Sequence, residues 1–376
     1  MAEPQCPYFR KCGGCSAQHI DYSTQVQNKR EVLAKAIKYD NIKTFTGKEY
    51  NYRNRMDLIF HKGGLGFRQK GKWDQVVDIE QCAIADDKLN KIITEIRTFF
   101  KDPDYFDLRK HTGTFRFAII RTPQKDSSIS FTLNANSSRI AEAVERIKMF
   151  AEKTNVKNIL VTYVPHNSDV AISEDYFVVK GKDILKEVYL DKEFSYSVQG
   201  FFQNNHEMAE EMQRYCRSLL ETYDTKEYHL LDLYGGVGAF GIINSDLFKT
   251  TTIVESFPGC IDAAKENIEA NNEQNTKAIV LDAKQLRKLD LPQPLIVITD
   301  PPRRGMHQKT VQQLRVLKPD VIIYVSCNVK QLEKEITNFV YYDIKSAAMF
   351  DLFPQTNHSE AVVELRRKKA KEDPRN

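Results

Sequence analysis

Apolar and polar positions follow two different rhythms along the chain. From His229 onward, short continuous apolar runs (HLLDLY, TTIVES, KAIVLDA, LIVITDPP, VIIYVSCN) alternate with segments that carry apolar residues at helical spacing, such as Cys260 to Asn271. Apolar runs of roughly four to eight residues that stop abruptly at polar ones are the pattern of strands buried on both faces of a parallel sheet. Strand and helix alternating at this length predict a doubly wound α/β domain with a Rossmann-like, mostly parallel sheet, whose chemistry lies at the carboxyl edge of the strands. AVVELR, Ala361 to Arg366, predicts a final strand.

Upstream the rhythm changes. Ser23 to Lys38 has apolar residues near helical spacing and a Ser/Thr start, which predicts a helix. NYRNRMDLIFHKGGLGFRQKGKWDQVVDI alternates between apolar and polar with glycine breaks, the texture of antiparallel hairpins, and Phe117 to Ala135 repeats it. A helix over Ser138 to Lys153 and a strand NILVTYVP follow. The expected division is an N-terminal region with hairpins over 1–85, a central α+β module over 86–195 and the α/β domain over 196–376.

Composition narrows the class. With 376 residues, 41% hydrophobic and 28% charged, the chain is long enough for a sizeable core, and it contains neither a membrane-length apolar run nor a signal-peptide pattern. The expectation is a cytoplasmic protein without membrane association. The net charge of +4 is unevenly spread: Lys29 to Asp74 holds 12 Lys/Arg against 5 Asp/Glu, and Arg366 to Asn376 holds six against two. Basic residues interleaved with Tyr50, Tyr52, Phe60, Phe67 and Trp73 suit a phosphate backbone with bases to stack on.

Three of the seven cysteines crowd into CPYFRKCGGC as a C-x5-C-x2-C spacing at Cys6, Cys12 and Cys15, and Cys82 supplies a fourth thiol in DIEQCAIAD. Four thiolates satisfy an iron–sulfur cube or a tetrahedral zinc. The spacing differs from paired C-x2-C zinc knuckles, which favours the cluster.

Between the first strand and its helix, Gly236, Gly238 and Gly241 fit G-x-G-x-x-G, which says that a ligand approaches the backbone closely. Glu255, at the end of the second strand, serves a ribose in either a nicotinamide dinucleotide or S-adenosylmethionine. Asp232 and Asp300 add negative charge where a phosphate would be repelled, which favours the cationic S-adenosylmethionine. In FFQNN, Gln203 on its own reads as a helix cap, and Cys327 after its apolar run reads as a small core residue. Both change meaning because every other signal converges on the same sheet edge.

Taken together and in this order, CPYFRKCGGC, FFQNN, DLYGGVGAFG, DPPRRG, SCN and HSE resemble the RNA 5-methyluridine methyltransferases, over nearly the whole chain from Cys6 to beyond Glu360. The resemblance is to the short, iron–sulfur-containing type that starts at the cysteine loop without a preceding TRAM domain, most like the 23S rRNA members. It implies that Cys327 is the nucleophile and Glu360 the general base, and that Gln203, Tyr234, Gly236, Glu255, Asp282 and Asp300 contact S-adenosylmethionine. It implies further that Cys6, Cys12, Cys15 and Cys82 hold a 4Fe–4S cluster, and that the partner is structured RNA, ribosomal RNA favoured and transfer RNA the alternative. Ala239 departs from relatives that carry a polar Asn there, which puts one cofactor contact in doubt.

The chemistry gives the same residue types independently. C5 of uracil is too weak a nucleophile to attack a methyl sulfonium until a thiolate has added to C6, and the C5 proton must leave before the thiol is expelled. One soft nucleophile and one base on the same ring are therefore required.

Overall fold

The computed structural model of the chain describes residues 2–368; the end of the basic tail lies outside the described residues. Two large sheets carry the fold. The first has eight strands in the order Ile42–Phe45, Tyr342–Phe350, Glu360–Arg367, Val321–Ser326, Leu295–Thr299, His229–Leu233, Thr250–Glu255, Thr276–Val280. Seven of them run the same way, and Glu360–Arg367 runs against its neighbours on both sides. Leu295–Thr299 and Val321–Ser326 are buried at every position, which accounts for their unbroken apolar runs.

Helices cover both faces. Tyr22–Ile37, Gln308–Leu317 and Val329–Ile336 bury Leu33, Val311, Leu314 and Leu332 on one side. His206–Leu220 covers the other with Met208, Met212, Tyr215 and the fully buried Cys216. The short helix Ala239–Asn244 and the helix Pro258–Ala270 follow the first two strands of the βα series.

The second sheet has seven strands, from Val76–Asp78 through the hairpin Gly64–Arg68 and Arg55–His61 to Phe115–Arg121, Ser128–Asn134, Asn158–Val164 and Tyr176–Lys180. Its pairs are antiparallel except Ser128–Asn134 with Asn158–Val164, which the helix Ile140–Lys153 connects. That helix and Asp87–Phe99 seal a core of tilted and edge-on rings around Phe60, Phe100, Phe115, Phe131 and Phe150.

The strands are not partitioned as the sequence rhythm divides them. Arg55–His61 pairs with Phe115–Arg121, so a single sheet crosses the expected boundary at residue 85. The stretch Tyr22–Phe45 joins the eight-stranded sheet, with Ile42–Phe45 as its outer strand. A four-residue strand and one amphipathic helix carry no label in the sequence for the domain they will complete. Among the described residues no helix is long and apolar enough to cross a membrane.

Candidate active site

The parallel strands all end at one edge, and the single reversed strand begins there. The Ser326–Ala361 pair is the last rung between Val321–Ser326 and Glu360–Arg367, so Cys327 and Glu360 follow it on neighbouring strands. Reversal of this one strand brings a residue far along the chain beside the thiol. Asp300, directly after Leu295–Thr299, completes the group.

The electrostatics of this edge are unusual. Burial pushes the Asp232 and Asp300 carboxyls up to about 7 and the Glu360 carboxyl well above the ordinary carboxylate range, and Asp300 adds to the shift at Glu360. None of the three has an ion-pair partner among the described residues, and Asp232 Oδ1 is buried with no hydrogen bond. Burial, followed by the charges of Glu360 and Asp300, pushes the Cys327 thiol up to about 11, and Arg303 pulls in the other direction. The pocket is deficient in positive charge.

The loops around Cys327 are clamped. Asn328 caps the helix Val329–Ile336, accepting from the Gln331 amide at 3.4 Å, and its Nδ2 donates to the Arg303 carbonyl at 2.9 Å. Glu335 on that helix is buried; it accepts from the Met306 amide at 3.0 Å, from Gln331 Nε2 at 2.6 Å and from the Tyr324 hydroxyl. Gly305 sits at φ 80°, and a Cβ there would lie 1.8 Å from Glu335 Oε1, so only glycine lets the DPPRRG loop close onto this carboxylate. The loops that carry Asp300 and Cys327 are thereby held to each other. Arg303 and Arg304 remain exposed, and Arg303 Nη2 lies 3.5 Å from His358 Nδ1.

The glycine turn lines the same edge. Asp232 Oδ2 accepts from the Gly241 amide at 2.8 Å, and a Cβ on Gly241 would stand 2.6 Å from Ile253, so the third glycine allows the helix to approach the sheet. Gly236 has open space where a Cβ would project. Tyr234 adopts φ 63°, and its phenol lies against Thr310 and the His307 backbone. Glu255 Oε1 accepts from the Ser256 amide at 2.6 Å and the Phe257 amide at 3.1 Å. Asp282 lies beyond the next strand, held below the usual carboxylate range by Lys284.

The helix-capping role considered for Gln203 belongs to Asn205. Asn205 accepts from the Met208 amide at 3.4 Å and donates to the Leu352 carbonyl at 3.1 Å, while the Gln203 side chain has no hydrogen bond among the described residues. Two exposed aromatics escaped the sequence reading: Phe257, 55% exposed beside Glu255, and Phe201, 66% exposed two residues before Gln203. For Phe257, a bulky aromatic two residues after the strand-end acid Glu255 was the available signal. Glu335 was missed as well, because a lone acid on a helix gives no hint of the loop it will clamp.

The cysteine loop is laid against the hairpin Arg55–Arg68. Gly13 donates to the Arg68 carbonyl at 3.0 Å and Lys70 to the Lys11 carbonyl at 2.9 Å. Burial raises the thiols of Cys12, Cys15 (to about 11) and Cys82 (to about 12), and the charges of other thiols in the set raise them further. The four thus share one neighbourhood, yet among the described residues no three His, Cys, Asp or Glu side chains are grouped to hold a metal ion. The loop also touches the segment leading to Glu360: Ser16 and Ala17 donate to the Gln355 carbonyl at 2.9 and 3.0 Å, and Tyr52 donates to the Pro354 carbonyl at 3.0 Å.

Similar proteins identify the family. An uncharacterized RNA methyltransferase of Caldanaerobacter subterraneus subsp. tengcongensis is 30% identical over 380 residues, covering 96% of this chain and 84% of that protein. The tRNA (uracil(54)-C(5))-methyltransferase of Pyrococcus abyssi is 28% identical over 364 residues, covering 96% and 85%. The crystal structure of the P. abyssi tRNA (uracil-54, C5)-methyltransferase in complex with S-adenosyl-L-homocysteine superimposes with a TM-score of 0.80 at 26% identity, over 94% of this chain and 86% of that one. With residues 21–368 matching the family model described as tRNA (Uracil-5-)-methyltransferase, this chain belongs to that family and is an RNA uracil-5-methyltransferase that uses S-adenosylmethionine.

Proposed function

We propose that Cys327 and Glu360 carry out C5 methylation of a uridine in structured RNA as nucleophile and base. The observation that supports this most is one thiol at the same sheet edge as three carboxyls of raised proton affinity, none of them ion-paired among the described residues. Such a site fits a cationic ligand and repels a dinucleotide's phosphates.

Gln203, Tyr234, Gly236, Glu255, Asp282 and Asp300 would hold S-adenosylmethionine, with Glu255 suited to the ribose hydroxyls and the unpartnered Gln203 amide free to bond a ligand. When bound, the cofactor would supply an electrophilic methyl group, its sulfur–methyl bond breaking as S-adenosylhomocysteine leaves. The Cys327 thiolate adds to C6, which opens the C5–C6 double bond and places an electron pair on C5 for the new carbon–carbon bond. The Glu360 carboxylate then takes the C5 proton, the double bond re-forms, and the Cys327–C6 bond breaks to release 5-methyluridine. Carboxyls and a thiol that burial keeps protonated ionise more readily when a cation shares their pocket, so the same charge deficit that selects the cofactor also activates the residues. The uridine must leave its stack to expose both ring faces, and the exposed Arg303 borders the edge it would enter.

Cys6, Cys12, Cys15 and Cys82 would hold a 4Fe–4S cluster. The support for this is the spacing of the cysteines, which differs from paired zinc knuckles, and the one neighbourhood in which the thiols raise one another. The cluster would stabilise the thiolates of Cys12, Cys15 and Cys82, which burial otherwise disfavours.

Ribosomal RNA was the expected substrate, but the names of the relatives favour transfer RNA, in the region of uridine 54. The protein is assigned to the cytoplasm, where such RNA is modified. Incubation with total unmodified RNA and methyl-labelled S-adenosylmethionine, digestion to nucleosides and fractionation by size tests all of this together. Label in 5-methyluridine from the transfer-RNA fraction is expected. Label in the large ribosomal RNA overturns the substrate, and label in 5-methylcytidine overturns the base.

A further inference from the structure

We infer that the opposite, amino-terminal foot of the eight-stranded sheet carries a second RNA contact, a basic and aromatic cavity that takes phosphate and an unstacked base. This rests on the reading that the substrate is RNA.

The cavity, about 680 Å³, opens where Val321–Ser326 begins and Glu360–Arg367 ends, and the C-terminal ends of the two helices Gln308–Leu317 and Val329–Ile336 flank it. Six strand residues separate it from Cys327, roughly 20 Å at ~3.3 Å per residue. It therefore lies outside the catalytic edge but within reach of the same folded RNA.

Its charges do not cancel. Asp320 is taken by Arg367, Asp343 by Lys368, and Glu364 by the hydroxyls of Tyr223 and Ser346. Arg315, Lys318 and Arg366 are left without a carboxylate partner among the described residues. A helix C-terminus favours a cation such as Arg315, but Arg366 is on a strand, with its guanidinium 5.7 Å from the Tyr223 ring centroid. Phe339 and Tyr342 form an apolar floor, and Tyr341 is 65% exposed at the rim. Unpaired cations beside an available ring are what a single-stranded segment or loop of RNA recognises: charge for the backbone and a π-face for a base.

The test compares wild-type protein with the Arg315→Glu, Lys318→Glu double variant and with Tyr341→Ala, using the RNA size fraction that the wild type binds. Thermal shift with S-adenosylhomocysteine first establishes that each variant is folded. Charge reversal is expected to raise the RNA Kd about tenfold and to flatten the dependence of log affinity on log salt by about two, with kcat at saturating RNA within about twofold of wild type. Tyr341→Ala is expected to weaken binding about fivefold. Folded variants that bind RNA with wild-type affinity and salt slope overturn the site. A wild-type protein that binds RNA but transfers no methyl group overturns the proposed reaction and leaves this binding comparison standing.

Discussion

The strand Val321–Ser326 has opposite surroundings at its two ends. At its carboxyl end Glu360 and Asp300 act on Cys327 and Asp232 lies two strands away beside Asp300, none of the three ion-paired among the described residues; at its amino end Arg315, Lys318 and Arg366 line a cavity without a carboxylate partner among those residues. Neither arrangement stabilises the empty fold: burial makes ionisation of the three carboxyls costly, and the exposed cations at the other end repel one another across water. Elsewhere the chain avoids that cost. Lys29 and Asp351, both buried, pair at 2.7 Å, and Arg217 and Asp246 pair at 2.7 Å on the surface. The contrast teaches that charge left unbalanced marks the places where something else supplies the balance: a cation at one end of the strand, a polyanion at the other.

The sharpest way to break this contrast is at the thiol. Cys327→Ala is expected to lower methyl transfer by about 10⁴-fold or more while S-adenosylhomocysteine affinity stays within about twofold. Residual turnover near wild type in a labelled-methyl assay would show that the thiol is a bystander of the carboxyls. The next largest effect is expected from Asp300→Asn, which removes charge from the cofactor's side. S-adenosylmethionine affinity should fall about 10- to 100-fold, with S-adenosylhomocysteine, which lacks the sulfonium, losing less. Calorimetry on the two ligands measures the difference, and equal losses would refute the charge argument.

The same carboxyls set a pH dependence. Asp232 and Asp300 hold their protons to about pH 7 in the folded protein but release them near 4 when unfolded. Between those values the folded state binds more protons, so the ligand-free protein should lose stability as pH rises from about 4 to about 7. Asp300→Asn should restore on the order of 1–2 kcal/mol of ligand-free stability at pH 8, measurable by denaturant titration. Methyl-donor affinity should move the other way and strengthen as pH rises through 7. The smallest effect is expected at Phe257, 55% exposed beside Glu255: Phe257→Ala should weaken S-adenosylhomocysteine about three- to tenfold through lost stacking, with no change in its pH profile.

Much of the catalytic edge was legible because of how parallel sheets bury themselves. A strand covered on both faces must be continuously apolar and must end in polar residues at a defined edge, so Asp300 and Cys327 could be placed from LIVITDPP and VIIYVSCN alone. The meeting of Cys327 with Glu360 was not legible in the same way. It depends on a reversed strand preceded by Tyr342–Phe350, whose mixed sequence YDIKSAAMF does not announce an interior position. The thiol's upward shift was invisible for the same reason, since burial and, after it, Glu360 and Asp300 act on it only in the folded chain. Nor could the grouping of Ile42–Phe45 with strands some 300 residues later be read, because the pairing belongs to the sheet and not to four residues.

The most direct test of the central claim uses Glu360→Gln, a variant that keeps the nucleophile and removes the base. Incubated with substrate RNA and S-adenosylmethionine, it should accumulate a methylated protein–RNA adduct that survives denaturation, and mass spectrometry after nuclease digestion should find a 5-methyluridine-containing remnant on Cys327. An adduct on another residue, or undiminished turnover with no adduct, would contradict the pairing of Cys327 and Glu360.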